Sequence, residues 1–177
     1  MAKTITFPCT CGGTFRQGFI KAFDATTLLG YPVIVEGKVP ALVCDQCRDF
    51  MAGGKLLALI VTVTSAHLLT GARQLSGDQL RFLRRNLFLN TQEDFAARLG
   101  ISRRTLIRWE ESASLGAEAD FMVRAVCTPP LLERINVEDR LREIVRGALS
   151  STRSKEAPRR AQRFRFKSSD LTDADAA

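Results

Sequence analysis

The chain has one histidine, one tryptophan and one tyrosine among 177 residues, and aromatic side chains make up only 7% of it. A single imidazole excludes most histidine-based acid–base and nucleophilic chemistry. Scarce aromatics argue against a platform on which the bases of a single strand stack. Paired carboxylates, a glycine-rich phosphate loop and a nucleophile–base pair are also missing, so the chain reads as non-enzymatic. The most apolar run, Leu56–Leu69, is interrupted by Thr62, Thr64, Ser65 and His67. It falls short of the roughly 20 residues a membrane span needs. Met1–Pro8 is short and mixed, with Cys9 following at once, which is no secretory signal. The expectation is a cytoplasmic protein with no membrane partner.

What the sequence does have is positive charge. Lys and Arg number 26 against 19 Asp and Glu, for a net charge of +7 and a pI near 9.6. Such a balance favours an anionic partner, most often nucleic acid. With 45% hydrophobic and 25% charged residues, the composition is that of a folded globular protein. Basicity peaks in residues 153–167, which carry seven cations and one acid.

Four of the five cysteines form two pairs, Cys9-Thr10-Cys11 and Cys44-Asp45-Gln46-Cys47. In a reducing compartment such pairs read as metal ligands rather than disulfides. Two knuckles brought together by a hairpin would give Zn2+ four tetrahedral thiolates, a closed structural site with no open catalytic position. About 50 residues bury too little surface to fold alone, so the metal would contribute to folding. Gly12-Gly13 suits a tight knuckle. The C-x-C pair is one residue shorter than the usual C-x2-C. That leaves a strained knuckle, replacement of Cys9 by another ligand (His67 being the sole nitrogen donor), a lost site, or a redox pair. Cys127, in an apolar helical stretch, reads as a small core residue.

From Asp78 the pattern is helical. Asp78–Arg85 places Leu80, Leu83 and Leu87 on one face, with Arg81, Arg84 and Arg85 directed outward. A second helix begins around Asn90-Thr91-Gln92-Glu93-Asp94, with a cap residue and then acids in the first turn. It directs Phe95, Ala96 and Leu99 inward and stops at Gly100. Ser102 is the candidate N-cap of a third helix, Arg103–Glu110, in which Trp109 shares the inward face of Leu106. Two short helices joined by a glycine-containing turn predict a helix-turn-helix. In that motif the second helix enters the major groove of double-stranded DNA with its N-terminal residues towards base edges. Ser102, Arg103, Arg104 and Arg108 hold those positions, and arginine can donate twice to guanine O6 and N7. Thr91 and Gln92, at a positive helix start, are placed to meet a phosphate.

The cysteine pairs, with Thr91-Gln92-Glu93-Asp94-Phe95-Ala96, Leu99-Gly100-Ile101-Ser102 and Arg108-Trp109-Glu110, resemble the MqsA-like antitoxins. That family joins a YgiT-type zinc finger to an XRE-type helix-turn-helix, and the resemblance covers roughly residues 9–126. It implies a structural zinc domain that holds a cognate toxin, and a C-terminal domain that dimerises on a palindromic operator to repress its own operon. It implies zinc-ligand roles for Cys9, Cys11, Cys44 and Cys47, and DNA contact by Gln92, Ser102, Arg103, Arg104 and Arg108. Against the family pattern, the Leu87–Gln92 link is one residue longer and lacks its customary glycine. A regulator without a toxin, or an adaptor whose ribbon docks on a protein partner, are the alternatives.

The expected fold is mainly α: a small N-terminal zinc ribbon with short β-strands, then a helical XRE-type domain. The divisions are a four-cysteine ribbon (1–50), with strands at Tyr31–Val35 and Val39–Val43, and a connector (51–77) read as helix. After these come a helix-turn-helix domain with C-terminal helices (78–148) and a basic, disordered tail (149–177). A fourth helix follows the Ser112–Gly116 loop and breaks at Pro129-Pro130, and a fifth, amphipathic one occupies Leu131–Leu149. Its apolar face would complete the core or form a homodimer.

Overall fold

A computed structural model describes residues 7–135 and 164–167. The described residues form two compact units, one of residues 7–28, 32–60 and 164–167, the other of residues 29–31 and 61–135. The boundary falls inside a helix, between Ile60 and Val61.

The first unit is a sheet. Strands β1 (Phe7–Pro8), β2 (Thr14–Asp24), β3 (Val33–Cys44) and β4 (Phe50–Met51) pair antiparallel in chain order, with the short helix α1 (Thr26–Leu29) after β2. The two strands expected at Tyr31–Val35 and Val39–Val43 are one, β3. It runs beside β2 from Asp24↔Ile34 to Phe15↔Cys44 and absorbs a bulge opposite Ile20–Ala22. A bulge lets a strand keep its partner through an irregular stretch, which is why Glu36-Gly37-Lys38 does not end it. Phe15, Phe23, Val33, Val35, Val39 and Cys44 are buried. A fifth strand, β5 (Phe164–Lys167), pairs parallel with β3 from Val33↔Phe164 to Glu36↔Lys167. The disordered end expected at 149–177 therefore does not hold for these four residues. Their Phe-Arg-Phe-Lys alternation is a strand pattern that needs a partner edge. The rest of that stretch lies outside the described residues.

The connector contains α2 (Gly54–Thr70), helical as expected and ended before Gly71. No helix among the described residues is long and apolar enough to cross a membrane.

The second unit is helical. Ser76 and Gln79 form a reciprocal capping box at the start of α3 (Gly77–Phe82). The helix passes into a π-helical segment, Leu83–Phe88, which ends on Leu89 in the left-handed region at φ 57°. This is how the long, glycine-free link is accommodated: the wider π turn takes up a residue, and a leucine occupies the conformation glycine would ordinarily supply. Helix α4 (Gln92–Leu99) is capped by Thr91 and closed by Gly100 at φ 68°. Helix α5 (Arg103–Glu110) is capped by Ser102. These ends fall where local chemistry predicted them.

Helix α6 (Ala117–Arg134) corrects the expected break, because it continues through Pro129 and Pro130. Each proline removes a backbone donor and crowds the preceding turn. Cys127 and Leu131 are nonetheless buried on either side, in line with Ala119 and Val123, and Pro129 is exposed. The buried stripe holds the helix past a local breaker. Beyond Ile135, the expected fifth helix lies outside the described residues.

Candidate functional site

Two arrangements carry chemistry, one in each unit. In the sheet unit, Cys9, Cys11, Cys44 and Cys47 converge from two turns, with all four sulfurs within 4.8 Å of one another. Cys9 Sγ lies 3.7 Å from Cys47 Sγ, and Cys11 Sγ 3.5 Å from Cys44 Sγ. None is in a disulfide. Four thiolates at a metal–sulfur distance of about 2.3 Å in a tetrahedron stand about 3.8 Å apart, so the donor set fits a tetrahedral ion.

The short C-x-C spacing works because both cysteines sit in a single turn, closed by Gly12 N–H donating to Cys9 O (3.0 Å) and Cys9 N–H to Gly13 O (2.8 Å). Gly13 N–H turns back to Cys11 Sγ at 3.4 Å. A Cβ at Gly13 would lie 2.7 Å from Cys44 Sγ, so a side chain there would displace a ligand. Asp45 clamps the turns together: its carboxylate accepts from Thr14 N–H at 2.9 Å and its own N–H donates to Thr14 O. Sequence reasoning missed Asp45, which carries no metal-ligand signature of its own. His67 is not in the group; it lies half-buried on α2, and burial lowers its pKa.

The thiols are electrostatically unequal. The Gly13 N–H, then Cys47, Cys9 and Cys44, bring Cys11 down to about 7. The Asp49 N–H pulls Cys47 down, but Cys11, Cys44, desolvation and Cys9 outweigh it and push it up to about 12. Crowded thiolates repel, so four of them ionise together only around a cation. Cys127, by contrast, is fully buried in the helical unit, and burial pushes it up to about 12, as suits a core residue.

In the helical unit the feature is a helix pair with a cationic surface and a buried ionic anchor. Arg103, Arg104 and Arg108 on α5 are exposed, with no hydrogen bond or ion pair to another described residue. Ser102 is also exposed, and its hydroxyl caps Thr105 N–H at 3.1 Å. Thr91 and Gln92 are engaged within the protein. Thr91 Oγ1 caps Asp94 N–H, and Gln92 Nε2 donates to Glu110 Oε2 at 2.9 Å.

Glu110 is the centre of the anchor. It is 3% exposed and accepts from Arg84 Nε at 2.6 Å and Nη2 at 3.2 Å. Arg81 Nη2 donates to Glu110 O at 2.9 Å, and Arg84 Nη1 to Asn90 O at 3.0 Å. The outward Arg84 of the sequence reading is thus corrected: it is buried, because a carboxylate on α5 meets it. Trp109 is half-buried, whereas Leu106 beside it is fully buried. At the same crossing Gly77 leaves no room for a side chain, since a Cβ there would stand 2.4 Å from Glu110 O.

Compared with known proteins, the chain matches no family model, no curated protein and no solved structure.

Proposed function

We propose that this chain is a sequence-specific DNA-binding repressor in which α4 and α5 form an XRE-type helix-turn-helix and the four cysteines hold a structural Zn2+. The observation that carries the reading is the unpartnered trio Arg103, Arg104 and Arg108 on a helix whose opposite side is fixed by Glu110. An arginine with no internal partner keeps all its donors for a ligand. One held on a rigid helix loses less freedom on binding than one on a loop.

In this reading α5 lies in the major groove. Arg103 and Arg104 donate to guanine edges and Arg108, one turn on, extends the readout. Ser102 and Thr91 hold the two helix starts, and the N–H groups at the beginning of α4 face a phosphate. Gln92 ties α4 to Glu110, so its role is to fix the spacing of the pair as well as to approach DNA. The zinc ion supplies folding free energy to the sheet unit and no chemistry, since a closed set of four thiolates leaves no open position. A homodimer on a palindromic operator and a cytoplasmic setting complete the proposal, and the resemblance of residues 9–126 to MqsA-like antitoxins extends it to a toxin partner. A second reading, a ribbon that docks on a protein, is favoured by Phe7, Phe50 and Met51, which are exposed next to the cysteine turns.

The test is binding of metal-loaded protein, at physiological salt, to the DNA upstream of its own gene against a scrambled duplex. Specific retardation is expected. Arg104→Ala should weaken it by about 1–3 kcal/mol and relax preference at one base pair. Weak, sequence-blind binding would refute the repressor and favour the docking ribbon.

A further inference from the structure

The outer edge of β3 is treated differently along its length. β4 covers Leu42 and Val43, and β5 covers Val33–Glu36. Residues 37–41 between them have no strand on that side among the described residues. That bare stretch contains Lys38 and Pro40, the residue types that blunt a sheet edge by charge and by lack of a donor. The covered stretch has no such guard. Val33-Ile34-Val35 is an uninterrupted β-branched run, and Val33 and Val35 are fully buried. A bare edge of this composition is a template for another strand.

The strand that covers it comes from beyond residues 136–163 and reads Phe164-Arg165-Phe166-Lys167, apolar and cationic by turns. The parallel register sets Phe164 and Phe166 opposite Val33 and Val35, and Lys167 opposite Glu36. Four residues make few backbone hydrogen bonds, so such a seat depends on tethering, which supplies an effective concentration on the order of millimolar.

We propose that the Val33–Glu36 edge of β3 is an acceptor site for an extended segment of a partner protein, alternating apolar and cationic residues, and that the chain's own Phe164–Lys167 is the tethered strand that closes it. The inference is independent of the DNA reading, because it concerns only the sheet unit. Recognition is by main-chain hydrogen bonds, with the alternate side chains giving selectivity.

Phe166→Pro in the full chain removes a strand donor and opens the edge without truncation. The probe is a fluorescein-labelled peptide of residues 161–169, followed by polarisation against the metal-loaded protein. Binding to the Phe166→Pro chain at least tenfold tighter than to the unsubstituted chain is expected, with none for a peptide of the same composition in scrambled order. Amide exchange at Val33–Glu36 should rise in the variant and be suppressed again by the peptide. Absence of binding to the variant, equal binding to both chains, or equal binding of the scrambled peptide would each overturn the proposal. A dimer of the unsubstituted chain that Phe166→Pro dissolves would also overturn it, by assigning the edge to a second copy.

Discussion

Glu110→Ala is the sharpest test of how the helical unit is held. The substitution removes the acceptor of Arg84 Nε and Nη2, at 2.6 and 3.2 Å, and of Gln92 Nε2, at 2.9 Å. It also removes the ionic neighbour of Arg81 at 3.7 Å. The Arg84 side chain is only 10% exposed, so water cannot solvate its charge once the carboxylate has gone. Leaving one member of a buried pair alone costs about 3–5 kcal/mol. An exposed pair such as Asp78–Arg81, with Asp78 74% exposed, contributes about 0–1 kcal/mol at most. Against a typical total of about 5–15 kcal/mol, the expected loss is large. Trp109 is the sole tryptophan and precedes Glu110 directly, so its fluorescence in a urea titration reports this unit. A lower midpoint with an unchanged slope is expected. Replacing both partners, Arg84→Met with Glu110→Met, should recover much of the loss, because two apolar residues leave no stranded charge. A loss below about 1 kcal/mol for Glu110→Ala, or a double variant as unstable as the sum of the singles, would refute the reasoning.

Other expectations follow from single positions. Gly77→Ala pushes a Cβ against the carbonyls of Trp109 and Glu110, which are backbone and cannot rotate away; a loss of about 1–3 kcal/mol is expected in the same titration. Leu89→Gly should instead stabilise by about 0.5–1 kcal/mol, because Leu89 is 78% exposed and has little packing to lose, and glycine relieves the left-handed penalty of about 1–2 kcal/mol at some cost in chain entropy. An unchanged or lower midpoint would show that the turn is not strained. Cys44→Ser should abolish metal retention, read by mass spectrometry under native conditions as the loss of one ion per chain. Retention of a full complement would place the metal elsewhere.

The positions of single elements show how far sequence logic reached. Ser76, Thr91, Ser102 and Gly100 end helices by hydrogen bonds and backbone freedom reaching only a few residues, so those ends were legible before any fold was known. The cysteine pairs were legible as ligands for the same reason, since the thiolate type and spacing are local. The first turn's tolerance of C-x-C was not, because it depends on Gly13 passing beneath Cys44 from a distant strand. The buried anchor left a trace. Arg84 falls on the helical spacing of Leu80 and Leu87, and Glu110 on that of Leu106, so each polar residue lies within an apolar stripe. Charge type outweighed that periodicity in the sequence reading. Only the meeting of the two helices shows that each supplies the other's counter-ion.

What the sequence determined by itself was the set of interactions closed within a turn or two: the caps, the stops and the two cysteine knuckles. The tertiary structure decided the rest. It carried α6 through Pro129 and Pro130 on a buried stripe, merged two short strands into β3 and seated Phe164–Lys167 on an edge far away in sequence. The physical reason is the same in each case. A local penalty or a weak local signal is outweighed by contacts with distant residues, and no window along the chain contains both partners.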